Sequence, residues 1–356
     1  MTFIEATQSY EQWMGKEVVL LEDDLRQKHE LMASAIFPFF RATYYRWAQS
    51  WTESVGSLAR ALPVLAVGDL HVENFGTWRD AEGRLVWGVN DLDETAELPF
   101  TLDLTRVAVS AVFANAHHGL GATRTQLAGA LLDGYRSGVE SGGSPFVLEE
   151  RHRTLRTLLT SRLKDPPTFW SKLTELPEYG GRKPKTATRL LMRLLPHGVE
   201  SLRIVHRVAG LGSLGRQRLT AIGQFEGGLI AREVKQLAPP ASFWAKLSES
   251  RAIRYGELLR LGSRCADPFL LQRNNWVGRR LSPSNSRIEL YDLPQQKDIL
   301  RLLNFMGAET ANLHLGSVSR KRLSKAFAAI TTVAIVKAVK TLENAVDRDW
   351  KAWKAR

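Results

Sequence analysis

The segment VGDLHVENFG, residues 67–76, places Asp69, His71, Glu73 and Asn74 within six positions, and NDLDE follows at 90–94. Phosphoryl transfer asks little covalent chemistry of a protein. It needs a carboxylate to orient the attacking hydroxyl and oxygen ligands for Mg²⁺ on the phosphates. Asp69 and Asn74 have the D-x-x-x-x-N spacing of such a carboxylate and a metal-binding amide on one loop. Asp91, at the end of the next expected strand, supplies a second Mg²⁺ ligand. A carboxylate with a solution pKa of ~3.9 is ionised at neutral pH, so Asp69 aligns a hydroxyl more than it strips it. A rival reading puts Asp69, His71 and Glu73 on one side of a strand as ligands for a divalent metal, as in a hydrolase. Gly68 and Gly76 bracket the segment and favour a loop, and no other His-rich segment completes that set. A purely structural polar turn is the third reading.

The stretch GLGSLG contributes Gly210, Gly212, Ser213 and Gly215. In a dinucleotide-binding fold these glycines must open a helix. Here RQRLTAIGQFEGG alternates and then turns, which predicts a Gly-rich hairpin closing over nucleotide phosphates. On that reading a lysine belongs on the third strand, and Lys235 in AREVKQL is there. Its ammonium pairs the α- and β-phosphates and is held by a carboxylate from the following helix, for which Glu249 and Glu257 are both candidates. The glycines alone fit an ordinary β-turn with a surface lysine equally well.

The flanking elements must bring these groups together. Residues 20–61 read as helical, interrupted at Pro38. PVLAV (63–67) is a short buried strand, and residues 75–91 form a hairpin turning at Asp80–Gly83. Helical spacing resumes from Asp103 to about Arg162, broken by SGGSP at 141–145. Residues 165–199, rich in Pro, Gly and charge, read as a surface crossing between lobes. From 200 onward the order is β-β-β-α-β-β, with strands in LRIVHRVAGLGSLG, RQRLTAIGQF, LIAREVKQL, FLLQRNNWVG and SRIELYDL, and a helix over 241–262. The chain after Pro294 is helical, with AFAAITTVAIV (326–336) a buried helix too short to span a bilayer.

With 49 Lys and Arg against 37 Asp and Glu, the net charge of +12 favours anionic partners. The basic runs, RHRTLR at 151–156, RKPK at 182–185 and RKR at 320–322, are dispersed and read as solvated helix faces; no nucleic-acid-binding module is recognisable. The single cysteine, Cys265, rules out an intramolecular disulfide and fits a reducing compartment. The first thirty residues carry no signal-peptide pattern, so a cytoplasmic location is expected. Nothing in the sequence specifies an oligomeric state.

GDLHVEN resembles the catalytic loop GDLHPGN of aminoglycoside-phosphotransferase-type kinases, and NDLDE resembles their metal loop. PFTLDLTRVA is similar to the segment opening the next helix in those kinases. The resemblance implies that Asp103 is a buried acid bracing the catalytic loop, that His71 supports the loop, and that Asp91 and Asp93 compete for the metal role. KHELMASAIFPFFRATYY, GDLHVENFG, NDLDE, DPP, GLGSLG and the closing DRDWKAW resemble a bacterial family catalogued as domain of unknown function 2252, placed among protein-kinase-like folds. Kinases run Gly-loop, lysine, hinge, catalytic loop, metal loop, whereas here residues 69–94 precede 210–235. Circular permutation explains this order economically, with LYDLP as the hinge. The expectation is an α+β, two-lobed, permuted kinase-like fold. Residues 1–199 form a large lobe with the catalytic and metal loops, 200–293 a small five-stranded antiparallel nucleotide lobe, and 294–356 helices completing the large lobe. The implied cofactors are ATP and Mg²⁺, and the implied reaction moves the γ-phosphoryl group to a hydroxyl-bearing acceptor that the sequence does not identify. A nucleotide-binding pseudokinase and an adenylyltransferase are the alternatives on the same parts.

Overall fold

The computed structural model describes residues 1–119, 121–149, 152–287, 290, 293 and 295–356. Helix α1 (Phe3–Glu17) opens on a capping box between Thr2 and Glu5 and is followed by α2 (Glu22–Ser34), α3 (Ile36–Ala42) and α4 (Tyr44–Val55). The breaks fall at Ala35 and Thr43 and not at Pro38, which sits in the first turn of α3, where a missing N–H costs no intrahelical bond. Next come β1 (Pro63–Ala66), β2 (Phe75–Arg79), β3 (Leu85–Val89) and β4 (Ala96–Pro99). Asp80 shapes the β2–β3 turn: its Oδ1 accepts the N–H groups of Glu82 and Arg84, and Gly83 takes the left-handed φ of 74°. Helices α5 (Phe100–His118) and α6 (Arg124–Ser141), strand β5 (Phe146–Val147) and α7 (Arg153–Thr160) follow.

Residues 165–199 are more ordered than a surface crossing. They hold α8 (Pro166–Thr174), capped by Asp165, and α9 (Lys185–Leu194). Beyond them lie β6 (Glu200–Val205), β7 (Arg218–Phe225), β8 (Gly228–Gln236), α10 (Ala241–Trp244), α11 (Tyr255–Leu261), β9 (Leu271–Arg273) and β10 (Trp276–Leu281). The expected first strand stops at Val205, so the glycines lie in a connection to β7. The helix expected over 241–262 is two short ones. Lys246 adopts a left-handed φ of 57°, and the N–H groups of Leu247 and Ser248 turn back onto Ser242 O, which ends α10. FLLQRNNWVG is a hairpin, β9 to β10, and not one strand. SRIELYDL and the LYDLP hinge fall largely outside the described residues. The chain closes with α12 (Gln296–His314), α13 (Arg320–Ala328) and α14 (Thr332–Lys354), so AFAAITTVAIV is divided between two helices at the Thr331 N-cap.

Among the described residues the fold is α+β, with a five-stranded antiparallel sheet in the order β6-β7-β8-β10-β9 and two smaller sheets, β1-β4 and β2-β3-β5. No helix of the described residues is long and apolar enough to cross a membrane. Strand alternation gives the five-stranded sheet two unlike faces. One carries Leu219, Ala221, Val234 and Trp276 and is covered by Leu190, Leu191 and Leu194 of α9. The other carries Arg218, Thr220, Glu233, Lys235 and Arg279 toward the helical body. It is apolar at its far end, where Ile222 and Ala231 meet Leu173 of α8, and at Val277, which joins the main core.

Helix α12 packs against α6 at backbone contact. A Cβ on Gly307 would lie 2.0 Å from Leu131 O, and one on Gly134 would lie 1.7 Å from Asn304 O. In an open helix Gly→Ala stabilises by about 1 kcal/mol. Here the clash is with backbone, which cannot give, and the sign reverses. Gly307→Ala should destabilise the protein by about 1–3 kcal/mol, read as a lower urea midpoint; a midpoint at or above the parent's would show that the two helices can part without cost.

Candidate functional site

One face of α5 builds the loop that carries Asp69. Asp103 is fully buried; its Oδ2 accepts from Val67 N (2.8 Å) and its Oδ1 from Gly68 N (2.9 Å). His314 Nε2 also donates to Oδ2 (3.0 Å), while His314 Nδ1 accepts from the Tyr135 hydroxyl (2.9 Å). One turn along, Arg106 donates through Nε (3.0 Å) and Nη2 (2.6 Å) to Asp69 Oδ1. One further turn along, Ser110 Oγ accepts from Val72 N (3.0 Å). Positions 103, 106 and 110 share a helix face, so a single stripe holds residues 67–72. Gly68 adopts φ 85° in this loop, and a Cβ there would meet Glu94 O at 2.5 Å, so only glycine fits.

Nothing in the local sequence marks Arg106 as a partner of Asp69. Its guanidinium is fully buried beneath Asp69, 3.6 Å from the centroid of the Phe40 ring. Burial pushes the Asp69 carboxyl above its ordinary value, and Arg106 only partly offsets this. With Oδ1 taken by Arg106, Oδ2 is left toward the cleft, where Gly212 approaches it.

His71 and Glu73 do not converge with Asp69 as metal ligands. His71 Nδ1 accepts from Glu73 N (3.3 Å), so its proton sits on Nε2. Burial, and then the cations Arg41, Arg106 and Arg287, hold the imidazole neutral, far below its ordinary pKa. Glu73 pairs with Arg41 (2.5 Å) and Arg287 (3.1 Å). The hydrolase arrangement therefore fails, because the segment is a loop with a 3₁₀ turn over Val72–Asn74 and not a strand. Asn74 Nδ2 donates to Asp69 O (2.9 Å), tying the amide to the same loop.

Lys235 and Asp91, 144 positions apart, meet at 3.3 Å, and Lys235 Nζ lies 2.7 Å from Asp93. Neither expected glutamate reaches the lysine. Glu257 is engaged twice by Arg254 (2.7 Å each), and Glu249 is exposed on the non-helical stretch after α10. The interrupted helix leaves no carboxylate facing β8, and the two aspartates take that place. Burial opposes ionisation of Asp91, but Lys235, a hydrogen bond from Asp93 and Arg279 outweigh it and hold Asp91 below the usual carboxylate range. Burial and the charge of Asp91 push Asp93 up. Asp91 is the more open of the two, with its side chain 36% exposed against 9% for Asp93. Glu94, buried beside Arg216 and bonded by Ala241 N, is raised to about 7, chiefly by burial.

Asp69, Asn74, Asp91, Asp93 and Glu94 line a cleft of about 710 Å³ between the sheet and the helical body, and Lys235 borders it through its ion pairs to Asp91 and Asp93. Gly210, Gly212 and Ser213 line it as well, in a 3₁₀ turn fixed by Ser213 N donating to Gly210 O (3.0 Å). Gly215 does not line it; a Cβ there would meet Leu25 at 2.7 Å, and Gly215 O accepts Leu21 N (2.8 Å). The glycine connection is thereby pinned to the start of α2. Among the described residues no group of three or more His, Cys, Asp or Glu is placed to hold a metal on its own. The donors present, two carboxylates and the Asn74 amide, are hard oxygen ligands. They suit Mg²⁺, which keeps water and phosphate oxygens in its shell.

Residues 20–166 match a family described as "Uncharacterized protein conserved in bacteria (DUF2252)". The match takes in Asp69, Asp91, Asp103 and Arg106 and ends before the five-stranded sheet. No curated protein and no solved structure matches the chain.

Breaking a buried pair by removing one partner costs about 3–5 kcal/mol, because the remaining charge is left in the interior. Arg106→Met should lose stability on that scale in urea unfolding. Asp69→Asn placed in the same background should recover a large part of it, since it removes the stranded charge. Additive losses in the double variant would show that the two side chains are not coupled.

Proposed function

We propose that the protein is an ATP- and Mg²⁺-dependent phosphotransferase of kinase-like, circularly permuted construction, moving the γ-phosphoryl group to a hydroxyl. The observation that carries this reading is the pairing of Lys235 with Asp91 and Asp93, which line the same cleft as Asp69 and Asn74. Phosphoryl transfer is mostly positioning and charge stabilisation, and it needs these parts on one cleft. The glycine-bearing connection between the first two strands and the lysine on the third support the same reading. Asp69 Oδ2 accepts the hydrogen bond of the acceptor hydroxyl and aims it, while Arg106 fixes the carboxylate from behind. Lys235 holds phosphate oxygens. Asp91 and Asn74, with Asp93 behind them, hold Mg²⁺, which neutralises charge on the phosphates. In this reading the chain ends of the kinase arrangement are relocated, so that the catalytic loop precedes the sheet.

Incubation with γ-labelled and, separately, α-labelled ATP plus a metabolite extract tests the reading. Transfer from γ alone is expected. Transfer from α makes the protein an adenylyltransferase on the same parts, and transfer from neither makes it a nucleotide-binding regulatory module. Asp69→Asn should lower transfer on the order of 10²–10⁴-fold with Mg-ATP affinity nearly intact, because this carboxylate meets the acceptor and not the nucleotide. Because burial raises its pKa, the acid limb of the parent's rate profile should lie above the ordinary carboxylate range. Undiminished turnover in folded Asp69→Asn would sink the assignment.

A further inference from the structure

On the cleft-facing side of the five-stranded sheet, two positions before Lys235, Glu233 is completely buried. Three guanidinium groups surround it. Arg207 donates to it through Nε (2.7 Å) and Nη2 (3.1 Å), Arg279 through Nε (3.0 Å) and Nη2 (2.7 Å), and Arg218 through Nη1 (2.5 Å). Thr220 Oγ1 donates as well (3.2 Å). One negative charge thus meets three positive ones. Arg218 is buried and gives its Nη2 to Ala209 O and Ser213 Oγ of the glycine connection. Arg207 and Arg279 each give one edge, Nε and Nη2, to Glu233 and are themselves lining residues of the cleft. Lys164 joins them across the cleft, donating to Asn285 O (2.7 Å). Its ammonium is brought down to about 8, by burial first and then by repulsion from Arg207, Arg279 and Arg287.

Buried charge is stable when neutralised, and this cluster has a surplus of cations with Glu233 already shared among three partners. Guanidinium groups held by one edge and open along the other are pre-organised for oxyanions, whose geometry they match. We infer that the Glu233-centred arginine cluster is an oxyanion subsite that binds a phosphate group in addition to those held at Lys235 and Asp91. Glu233 acts there as a positioning residue that fixes the forks of Arg207 and Arg279. Arg218 joins the same carboxylate to the glycine connection, so the subsite and the phosphate-covering turn share one anchor. Glu233 and Lys235 lie two residues apart on one strand face, about 7 Å, close enough for one polyphosphate or for two neighbouring ligands. The subsite itself does not depend on the phosphotransferase reading; its assignment to the nucleotide or to a phosphorylated acceptor does.

The test uses the full chain with inorganic pyrophosphate as the probe, in excess EDTA so that divalent-metal binding at Asp91 and Asn74 is removed. Saturable binding by calorimetry is expected. Arg207→Gln and Arg279→Gln should each weaken it by about tenfold or more, while Lys325→Gln, on the exposed side of α13, should leave it unchanged. Arg218 still neutralises Glu233 in both variants, and Arg279→Lys, which keeps the charge and loses the fork, stands in if either fails to fold. In a separate titration with Mg²⁺ and without EDTA, competition with Mg-ATP assigns the subsite to the nucleotide's phosphates, and simultaneous binding assigns it to a phosphorylated acceptor. Absence of pyrophosphate binding in EDTA, or binding unchanged in the Arg207 and Arg279 variants, overturns the proposal. Failure of phosphoryl transfer with pyrophosphate binding intact would count against the function reading alone.

Discussion

Asp103, Arg106 and Ser110 fasten the loop at 67–72 from inside the molecule, and the geometry of the cleft depends on that attachment. Each contact replaces water that a buried group would otherwise need. Asp103 satisfies two backbone N–H groups that have no strand partner, and a third donor, His314, ties the same carboxylate to α12. Arg106 stays charged in the interior because Asp69, Phe40 O and the Phe40 ring receive it together. A loop held in this way presents Asp69 Oδ2 at one place, which a reaction governed by orientation requires. The chain's C-terminal helices therefore take part in shaping a loop near its beginning.

The sheet contributes the opposite wall, and it does so with charge. Lys235, with Asp91 and Asp93, sets two carboxylates side by side and neutralises part of their repulsion. Arg216 does the same for Asp93 and Glu94. The face of the sheet that meets the helical body is accordingly polar over most of its length, unlike the face under α9, which is mostly apolar. An apolar face would have sealed the two parts together. A charged one leaves a cleft of about 710 Å³ whose walls meet through ion pairs such as Lys235–Asp93 and Arg216–Glu94 as well as hydrogen bonds such as Ala241 N to Glu94. Such pairs can be exchanged for those of a ligand at modest cost, because the desolvation penalty is already met.

The pattern of hydrophobic residues made much of this legible. Period-2 alternation located β7 and β8, the Glu226–Gly228 turn joined them, and helical spacing located α5, α6 and α12. Local signals failed where a distant partner decides the conformation. A glutamate opposite Lys235 would need a continuous helix there, but Lys246 turns the chain, and Asp91 and Asp93 arrive from the other half of the molecule. Arg106 looked like any helical arginine, since its partners Asp69 and Phe40 lie 37 and 66 positions away. Glu233 and its three arginines were invisible for the same reason: alternation shows that Glu233 and Lys235 share a face, but not which face or what it meets. The composition of residues 165–199 points to a loop, but Pro166 at the first position of α8 and Pro184 at the N-cap of α9 open helices as readily as they form loops.

If the protein transfers phosphate as proposed, the sheet and the 69–94 loops bind one Mg-ATP between them. The most direct measurement is the Mg-ATP-induced rise in melting temperature for the parent, Lys235→Ala, Asp91→Ala and the double variant, each against its own ligand-free baseline. A ligand at 100 times its Kd stabilises by about 2.7 kcal/mol through mass action. Each single variant should lose most of that shift, the double variant should lose little more, and EDTA should abolish most of it in the parent. If Asp91→Ala keeps the full shift while Lys235→Ala loses it, nucleotide binds to the sheet without the acids, and the single-cleft account is wrong.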